Sequence, residues 1–210
     1  MTSNEGVRTR PAVLVLENIW SDDLADSTSV RPFLEGWAAS LDVRVGFRSY
    51  HGRDDLVHWL SEFWSAKSNP WICYIAGHTS GNRLSGLTSN INLTQAFSSA
   101  IPRKPGPQLD VGPNPKGVLL GTCVVGGRAK RLELLESTAN SLQWVAGYEK
   151  VVPWMESTLC ELLFLTPPYS PEGLEGDRKR RVTRLTSRVV EGCCSDNHHQ
   201  TAGGASWVKS

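Results

Sequence analysis

The chain has 210 residues, of which 40% are hydrophobic and 20% charged, and its 22 basic and 21 acidic residues give a formal net charge of +1. This length and composition predict one medium-sized domain, spanning residues 1–210, with a full core. The balanced charge argues against direct binding of nucleic acid or of an acidic membrane. No apolar run reaches the roughly 18 residues of a membrane span, and residues 1–10 lack the apolar segment of a signal peptide. We therefore expect a cytoplasmic protein whose five cysteines are reduced.

The first third of the chain alternates strand and helix patterns. Continuous apolar runs are typical of strands buried in a parallel sheet, and apolar residues three or four apart are typical of amphipathic helices. These patterns predict strands over 12–16, 42–50 and 71–76, and helices over 30–40 and 54–66. The third strand ends in Gly77-His78, and the Ser-, Gly- and Asn-rich segment 79–92 predicts a surface loop.

The remaining chain repeats this alternation around a strand that ends in Gly121-Thr122-Cys123. The pattern predicts helices over 93–101, 128–139 (with Leu132, Leu134 and Leu135 as core positions), 154–165 and 176–190, and strands over 142–146 and 205–209. Pro167-Pro168 is expected to end the helix before it. Five prolines and two glycines predict a flexible loop over 102–115, and the Gly- and Ser-rich segment 192–204 predicts a flexible tail.

This order of elements predicts an α/β protein, a three-layer α/β/α sandwich with a mainly parallel sheet of roughly six strands. Ligands of such sheets bind beyond the carboxyl ends of the strands. His78 and Cys123 are both predicted there, each just after an apolar strand.

A cysteine and a histidine at neighbouring strand ends suit nucleophilic catalysis. The thiolate is the reactive form of cysteine, and a nearby histidine can accept the thiol proton at cellular pH. Peptide N–H groups near the two residues, at Thr79 and Cys123, are candidates for an oxyanion hole. An isolated cysteine is more often a small core residue, so the chemistry depends on whether the two strands are neighbours.

The blocks Gly77-His78 and Gly121-Thr122-Cys123, whose histidine and cysteine are 45 residues apart, resemble those of the caspase-like cysteine peptidases. This superfamily includes caspases, metacaspases, separases and bacterial CHAT proteases, and the segment 92–100 resembles the short helix that the CHAT group places before its cysteine strand. The resemblance implies that His78 is the general base and Cys123 the acyl-accepting nucleophile. It implies a protein or peptide substrate and no cofactor.

The sequence departs from the family pattern at two positions. Thr79 follows the histidine where the family usually has glycine, and Gly121 lies where caspases have glutamine and metacaspases have aspartate. A second histidine, His51, is followed by Gly52, which is the family's literal pair. Its strand is the second in the chain, and the family's sheet order places that strand away from the cysteine strand.

The loop after the first strand is the candidate specificity region. In the superfamily this loop contributes to the pocket for the residue that precedes the scissile bond. Here it carries Glu17, Asp22, Asp23 and Asp26. If these carboxylates line the pocket, they favour an arginine or lysine of the substrate. The alternative is that they are solvated residues of an exposed loop. Trp20, Tyr148 and Trp154 are candidates for neighbouring subsites or for packing. The run Arg178–Arg181 is either a self-cleavage site or a solvated helix face.

The residues also leave other functions open. The family resemblance implies a regulated bacterial protease of defence (antiviral) or signalling systems, switched on by a partner protein. Thr79 also fits a catalytically inactive caspase-like scaffold that binds a partner. A nucleotide-binding domain would need a phosphate-binding turn, which the sequence lacks. Cys193, Cys194, His198 and His199 have the residue types of a zinc site but lack the usual spacing.

Overall fold

The computed structural model describes residues 12–18, 28–65, 71–80, 83–86, 89–101, 116–122, 128–138, 141–169 and 205–209. In chain order the strands are β1 (Ala12–Glu17), β2 (Arg44–Ser49), β3 (Ile72–Ala76), β4 (Thr79–Ser80), β5 (Arg83–Leu84), β6 (Gly117–Gly121), β7 (Trp144–Tyr148) and β8 (Ala205–Lys209). The helices are α1 (Arg31–Leu41), α2 (Arg53–Ser65), α3 (Leu93–Ala100), α4 (Arg128–Ser137) and α5 (Trp154–Tyr169).

The main sheet has the strand order β2-β1-β3-β6-β7-β8. In this sheet β2, β1, β3, β6 and β7 are parallel, and β8 pairs antiparallel with β7. Residues of α2, α3 and α4 form one core cluster on one face, and residues of α1 and α5 form another on the opposite face. The predicted α/β sandwich with a mainly parallel sheet is therefore confirmed. β3 and β6 are buried along their whole length, as their continuous apolar runs predict.

Three predicted elements need correction. The segment predicted as a loop after His78 contains the β4–β5 hairpin, whose strands of two residues are too short to give an alternating pattern. The last strand before α5 lies at 144–148, two residues later than predicted. Helix α5 continues through Pro167 and Pro168 to Tyr169. Both prolines lie in the last turn, where little helix remains for them to interrupt.

Several predicted segments lie outside the described residues. These are the loop 102–115, the helix 176–190 with its basic run, and the tail 192–204 with the candidate zinc ligands. Among the helices that the structure describes, none combines the length and the apolar character needed to cross a membrane.

Strand β2 lies at one end of the described sheet, and side chains occupy part of its outer edge. The Tyr50 N–H donates to the Glu17 carbonyl, so in a parallel ladder the alternate residues 45, 47 and 49 direct their backbone groups away from β1. Arg48 Nη1 donates to the Phe47 carbonyl at 2.7 Å, and Trp59 Nε1 donates to the Ser49 carbonyl at 3.1 Å. Two outward carbonyls are therefore already bonded.

Candidate active site at the carboxyl ends of β3 and β6

The strand that precedes His78 and the strand that precedes Cys123 are neighbours. β3 and β6 are parallel and adjacent, and their last residues, Ala76 and Gly121, are register partners. His78 and Cys123 each follow two residues after those partners. The two strands are therefore neighbours, as predicted, and they end at the same level on the same edge of the sheet. Cys123 itself lies outside the described residues, which end at Thr122 in this segment.

His78 is exposed and follows a buried, hydrogen-bonded backbone. Its carbonyl accepts a bond of 2.9 Å from the Ser85 N–H, which ties it to the end of the β4–β5 hairpin. Thr79 begins that hairpin opposite Leu84 and is partly buried. The histidine side chain is thus presented at the surface by a backbone fixed on both sides. That combination is what a general base at a strand end needs.

Two polar residues from other strand ends hold the backbone on either side of His78. Asn18, directly after β1, donates from its backbone N–H to the Ala76 carbonyl at 3.0 Å and from its side-chain amide to the Ser85 carbonyl. Tyr50, directly after β2, donates from its hydroxyl to the same Ala76 carbonyl at 3.2 Å. Both side chains are buried, and burial raises the pKa of Tyr50, which keeps its hydroxyl protonated as a donor.

Gly77 has no room for a side chain. Its φ of 156° is unusual for other residues, and a Cβ atom there would lie 2.9 Å from Tyr50 Oη and 3.1 Å from Asn18 Cβ. The close approach of Asn18 and Tyr50 therefore requires glycine immediately before the histidine.

The position two residues before Cys123 is closed to a specificity side chain. A Cβ atom on Gly121 would lie 2.5 Å from Tyr74 Cε2 and 2.6 Å from Tyr74 Oη. The ring of Tyr74 fills the space that glutamine or aspartate would need in the caspase pattern. The departure from that pattern at Gly121 thus has a packing cause.

Tyr74 is held in place by a buried carboxyl group. Its hydroxyl donates to Glu161 Oε2 of α5. Glu161 is almost fully buried, and burial raises the pKa of its carboxyl group to about 8, against the hydrogen bonds from Tyr74 and Tyr148, which lower it. Burial and the neighbouring Glu161 also raise the pKa of Tyr74. Burial thus favours the neutral form of this carboxyl group, so the cluster is a poor site for binding a basic substrate residue.

Of the residues predicted to line substrate subsites, the three that the structure describes are engaged in hydrogen bonds or ring packing. Glu17 accepts bonds from the Ser29 hydroxyl at 2.9 Å and from the Val30 N–H at 2.8 Å, and so connects β1 to the start of α1. Tyr148 is buried and donates to the Ser157 carbonyl at 3.0 Å. Trp154 packs edge-on against Phe33, with ring centroids 5.6 Å apart. Trp20, Asp22, Asp23 and Asp26 lie outside the described residues.

The rival His51 is separated from the cysteine strand. It follows β2, and both β1 and β3 lie between β2 and β6. At about 4.8 Å per strand, three steps separate their backbones by roughly 14 Å. His51 also lies two residues before α2, and it is bonded to the first turn of that helix: its N–H donates to Asp55 Oδ2 at 3.0 Å, and its Nδ1 lies 3.5 Å from the same carboxylate. The topology therefore favours His78 as the partner of Cys123.

Arg131 of α4 is a buried cation at the same edge of the sheet, which sequence reasoning missed. Its guanidinium donates to the Gly147 carbonyl at 3.3 Å and to Glu149 Oε1 at 3.1 Å. The sequence predicted Leu132 as a core position, but Leu132 is 37% exposed and Arg131 is 1% exposed. The reason is that the buried stripe of α4 passes through Arg131, where the end of β7 supplies acceptors for its charge.

Lys116 lies at the opposite end of the sheet and so outside the candidate site. Its ammonium donates to the Phe63 carbonyl in the last turn of α2 at 2.6 Å and lies 4.6 Å from the centre of the Phe63 ring. Burial lowers the pKa of Lys116 to about 8. This lysine stabilises a helix end, where a cation is favourable.

No protein-family model matches the chain, and a search of curated proteins finds no similar sequence.

Proposed function

We propose that the protein is a caspase-like cysteine endopeptidase in which His78 is the general base and Cys123 the nucleophile. One observation carries the proposal: Ala76 and Gly121 are register partners on adjacent parallel strands, and the histidine and the cysteine each follow two residues later. The motif resemblance supports the same pair. The fixed backbone around an exposed His78 supports its role as the base.

The chemistry follows from the two side chains. The imidazole of His78 accepts the proton of the Cys123 thiol, and the thiolate attacks the carbonyl carbon of the scissile peptide bond. The resulting oxyanion accepts hydrogen bonds from the peptide N–H groups of Thr79 and Cys123. The C–N bond then breaks, and the leaving amine takes the proton from the imidazolium, which leaves a thioester on Cys123. Water, deprotonated by His78, hydrolyses this thioester and restores the thiol.

The proposal extends to specificity and to biological role. With the Gly121 position closed and Glu17 bonded to Ser29 and Val30, a preference for arginine or lysine before the scissile bond would rest on Asp22, Asp23 and Asp26. The role implied by the resemblance is regulated proteolysis in bacterial defence or signalling, in the cytoplasm, with a partner protein as activator.

A peptide probe with a thiol-reactive electrophile tests the catalytic proposal. We expect covalent labelling of the wild-type protein at Cys123, its loss in Cys123→Ala, and a strong decrease in His78→Ala. His51→Ala is the matched control, since it removes a histidine that also follows a strand, and it should label like the wild type. Labelling that persists in His78→Ala but disappears in His51→Ala would reverse the assignment. Absence of labelling in the wild type, alone and with a candidate activator, would favour the non-catalytic scaffold.

A further inference from the structure

One buried residue, Asn18, connects the two ends of the turn that carries His78 through its backbone N–H and its side chain. The backbone N–H of Asn18 donates to the Ala76 carbonyl at 3.0 Å, on the chain before the histidine. The side-chain amide of Asn18 donates to the Ser85 carbonyl, on the chain after it. The N–H of Ser85 in turn donates to the carbonyl of His78 at 2.9 Å. Asn18 therefore reaches His78 through one intervening residue.

The contacts require an amide at this position. The side-chain partner of Asn18 is the Ser85 carbonyl oxygen, which can only accept hydrogen bonds, so the side chain has to provide an N–H donor. The backbone N–H that bonds the Ala76 carbonyl would be supplied by any residue except proline. Asn18 is 5% exposed, and leaving a buried amide without its hydrogen-bond partner lowers the free energy of unfolding by about 1–3 kcal/mol. An aspartate of the same shape would place acceptor oxygens against the Ser85 carbonyl. The requirement is thus for the amide rather than for a polar residue in general.

The packing around Asn18 leaves the turn little freedom. Gly77 lies against both Asn18 and Tyr50, since a Cβ atom on it would come within 3.1 Å and 2.9 Å of them. Tyr50 donates to the same Ala76 carbonyl that Asn18 uses. All of these contacts fix the backbone next to the histidine, and none of them involves its imidazole.

We infer that Asn18 is a positioning residue for His78: through Ser85 it fixes the backbone that sets the distance from the imidazole to the thiol of the neighbouring strand. This inference rests on the proposed function, because it assigns Asn18 a role in the His78–Cys123 pair. Asn18 touches neither the substrate nor the reacting atoms. Its contribution is to the fraction of Cys123 present as thiolate near neutral pH, which depends on how closely the imidazole approaches.

The thiolate fraction can be measured without a substrate. The full chain is alkylated with iodoacetamide, and mass spectrometry follows the peptide that contains Cys123. Rates are taken at about pH 6.5 and about pH 9.5, below and above the ordinary thiol pKa of about 8.5. The ratio of the rate at the lower pH to the rate at the higher pH reports ionisation and cancels differences in accessibility. A change in the accessibility of Cys123 alone would change both rates and leave the ratio unaltered.

The decisive variant is Asn18→Asp, which keeps the shape of the side chain and removes its donor. We expect a high ratio in the wild type, a low ratio in His78→Ala, and an intermediate ratio in Asn18→Asp. A one-unit rise in the thiol pKa lowers the ratio by about tenfold at most, and by about twofold to fivefold where the wild-type thiol is already largely ionised at pH 6.5. Thr138→Val is the matched control: Thr138 is also buried, and its hydroxyl donates to the Leu135 carbonyl at the far end of α4. It should keep the wild-type ratio. Tyr50→Phe is a second variant if Asn18→Asp does not fold, and it should lower the ratio by a smaller factor.

The outcomes separate the two claims. A wild-type ratio as low as that of His78→Ala would overturn the dyad and the role of Asn18 together. The positioning role alone would be overturned if the high wild-type ratio is lost in His78→Ala but retained in Asn18→Asp. If Asn18→Asp does not fold, a retained ratio in Tyr50→Phe would have the same meaning. A decrease in Thr138→Val equal to that in Asn18→Asp would show a general effect of destabilisation and would also overturn it.

Discussion

Two tyrosines on opposite faces of the sheet each press against a glycine near a candidate catalytic residue. Tyr50 belongs to the core cluster under α2, α3 and α4 and approaches Gly77, next to His78. Tyr74 belongs to the cluster under α1 and α5 and approaches Gly121, two residues before Cys123. Their hydroxyl groups differ in what they bond. Tyr50 donates to the backbone of β3, whereas Tyr74 donates to the ionisable side chain of Glu161.

The difference shows that similar packing can serve two purposes. The bond from Tyr50 fixes a main-chain carbonyl, so its effect is geometric and does not depend on pH. The bond from Tyr74 is made to a buried carboxyl group, whose pKa is raised to about 8 by burial. The Gly121 side of the site should therefore respond to pH, and the Gly77 side should not. Four substitutions test this contrast.

Gly121→Ala should have the largest effect, because β6 lies between β3 and β7 and cannot move away from the Tyr74 ring. We expect a loss of about 3 kcal/mol in the free energy of unfolding, at the upper end of overpacking effects. Urea denaturation measures it. In a Tyr74→Leu background, where the ring is gone, the same substitution should cost much less. Equal costs in the two backgrounds would show that Tyr74 is not the obstacle.

Gly77→Ala should cost about 2 kcal/mol, from the contact with Tyr50 and an unfavourable φ together. Gly36→Ala is the control. Gly36 lies in α1, where an added Cβ atom would meet no neighbour within 4 Å, and alanine should stabilise that helix by up to about 1 kcal/mol. The urea midpoint should therefore fall in Gly77→Ala and rise in Gly36→Ala. A neutral Gly77→Ala would mean that the turn before His78 can relax.

Glu161→Gln should reveal the pH response of the Tyr74 side. The carboxyl pKa is about 8 in the folded state and near 4.5 when exposed, so between these values the folded state retains a proton that the unfolded state has lost. The contribution of Glu161 to stability is therefore fully present below about pH 4.5 and is lost as the pH rises towards 8. Relative to Glu161→Gln, the wild type should lose up to about 1.4 kcal/mol per pH unit in this window. A constant difference across the window, measured by urea denaturation at several pH values, would contradict the assignment.

Tyr50→Phe should have the smallest effect on stability, about 0.5–1 kcal/mol, because the Ala76 carbonyl keeps its bond from the Asn18 N–H. The loss should not vary between pH 5 and pH 8. Thermal unfolding at several pH values measures it. A pH-dependent loss comparable with that at Glu161 would remove the contrast between the two tyrosines.

The sequence predicted the sheet better than it predicted Asn18 and Tyr50, the residues that hold the backbone next to His78. Continuous apolar runs before His78 and Cys123 were sufficient to place β3 and β6 in a buried parallel sheet, because such runs are typical of strands covered on both faces. Asn18 follows β1, and Tyr50 was predicted as the last residue of its strand, yet nothing local indicates that either residue holds the backbone next to His78. Their roles arise from contacts with partners 67 and 26 residues away in the chain.

The same limit applies to polar residues inside helices. Arg131 was not predicted to be buried because its acceptors, Gly147 and Glu149, belong to a strand that follows the helix and to the residues just after that strand. Glu161 likewise depends on Tyr74, 87 residues earlier in the chain. Apolar periodicity identifies which face of a helix is covered, but it cannot identify a polar residue whose partner is supplied by a distant segment.

The bonded carbonyls at the outer edge of β2 have a consequence for how the protein behaves when concentrated. An uncovered strand at the end of a sheet can recruit another chain by backbone pairing and so begin aggregation. Arg48 and Trp59 occupy two of the acceptors that an incoming strand would need. These two side chains therefore help keep neighbouring molecules apart at high concentration, a role in colloidal stability that is separate from folding and from chemistry at the other strands.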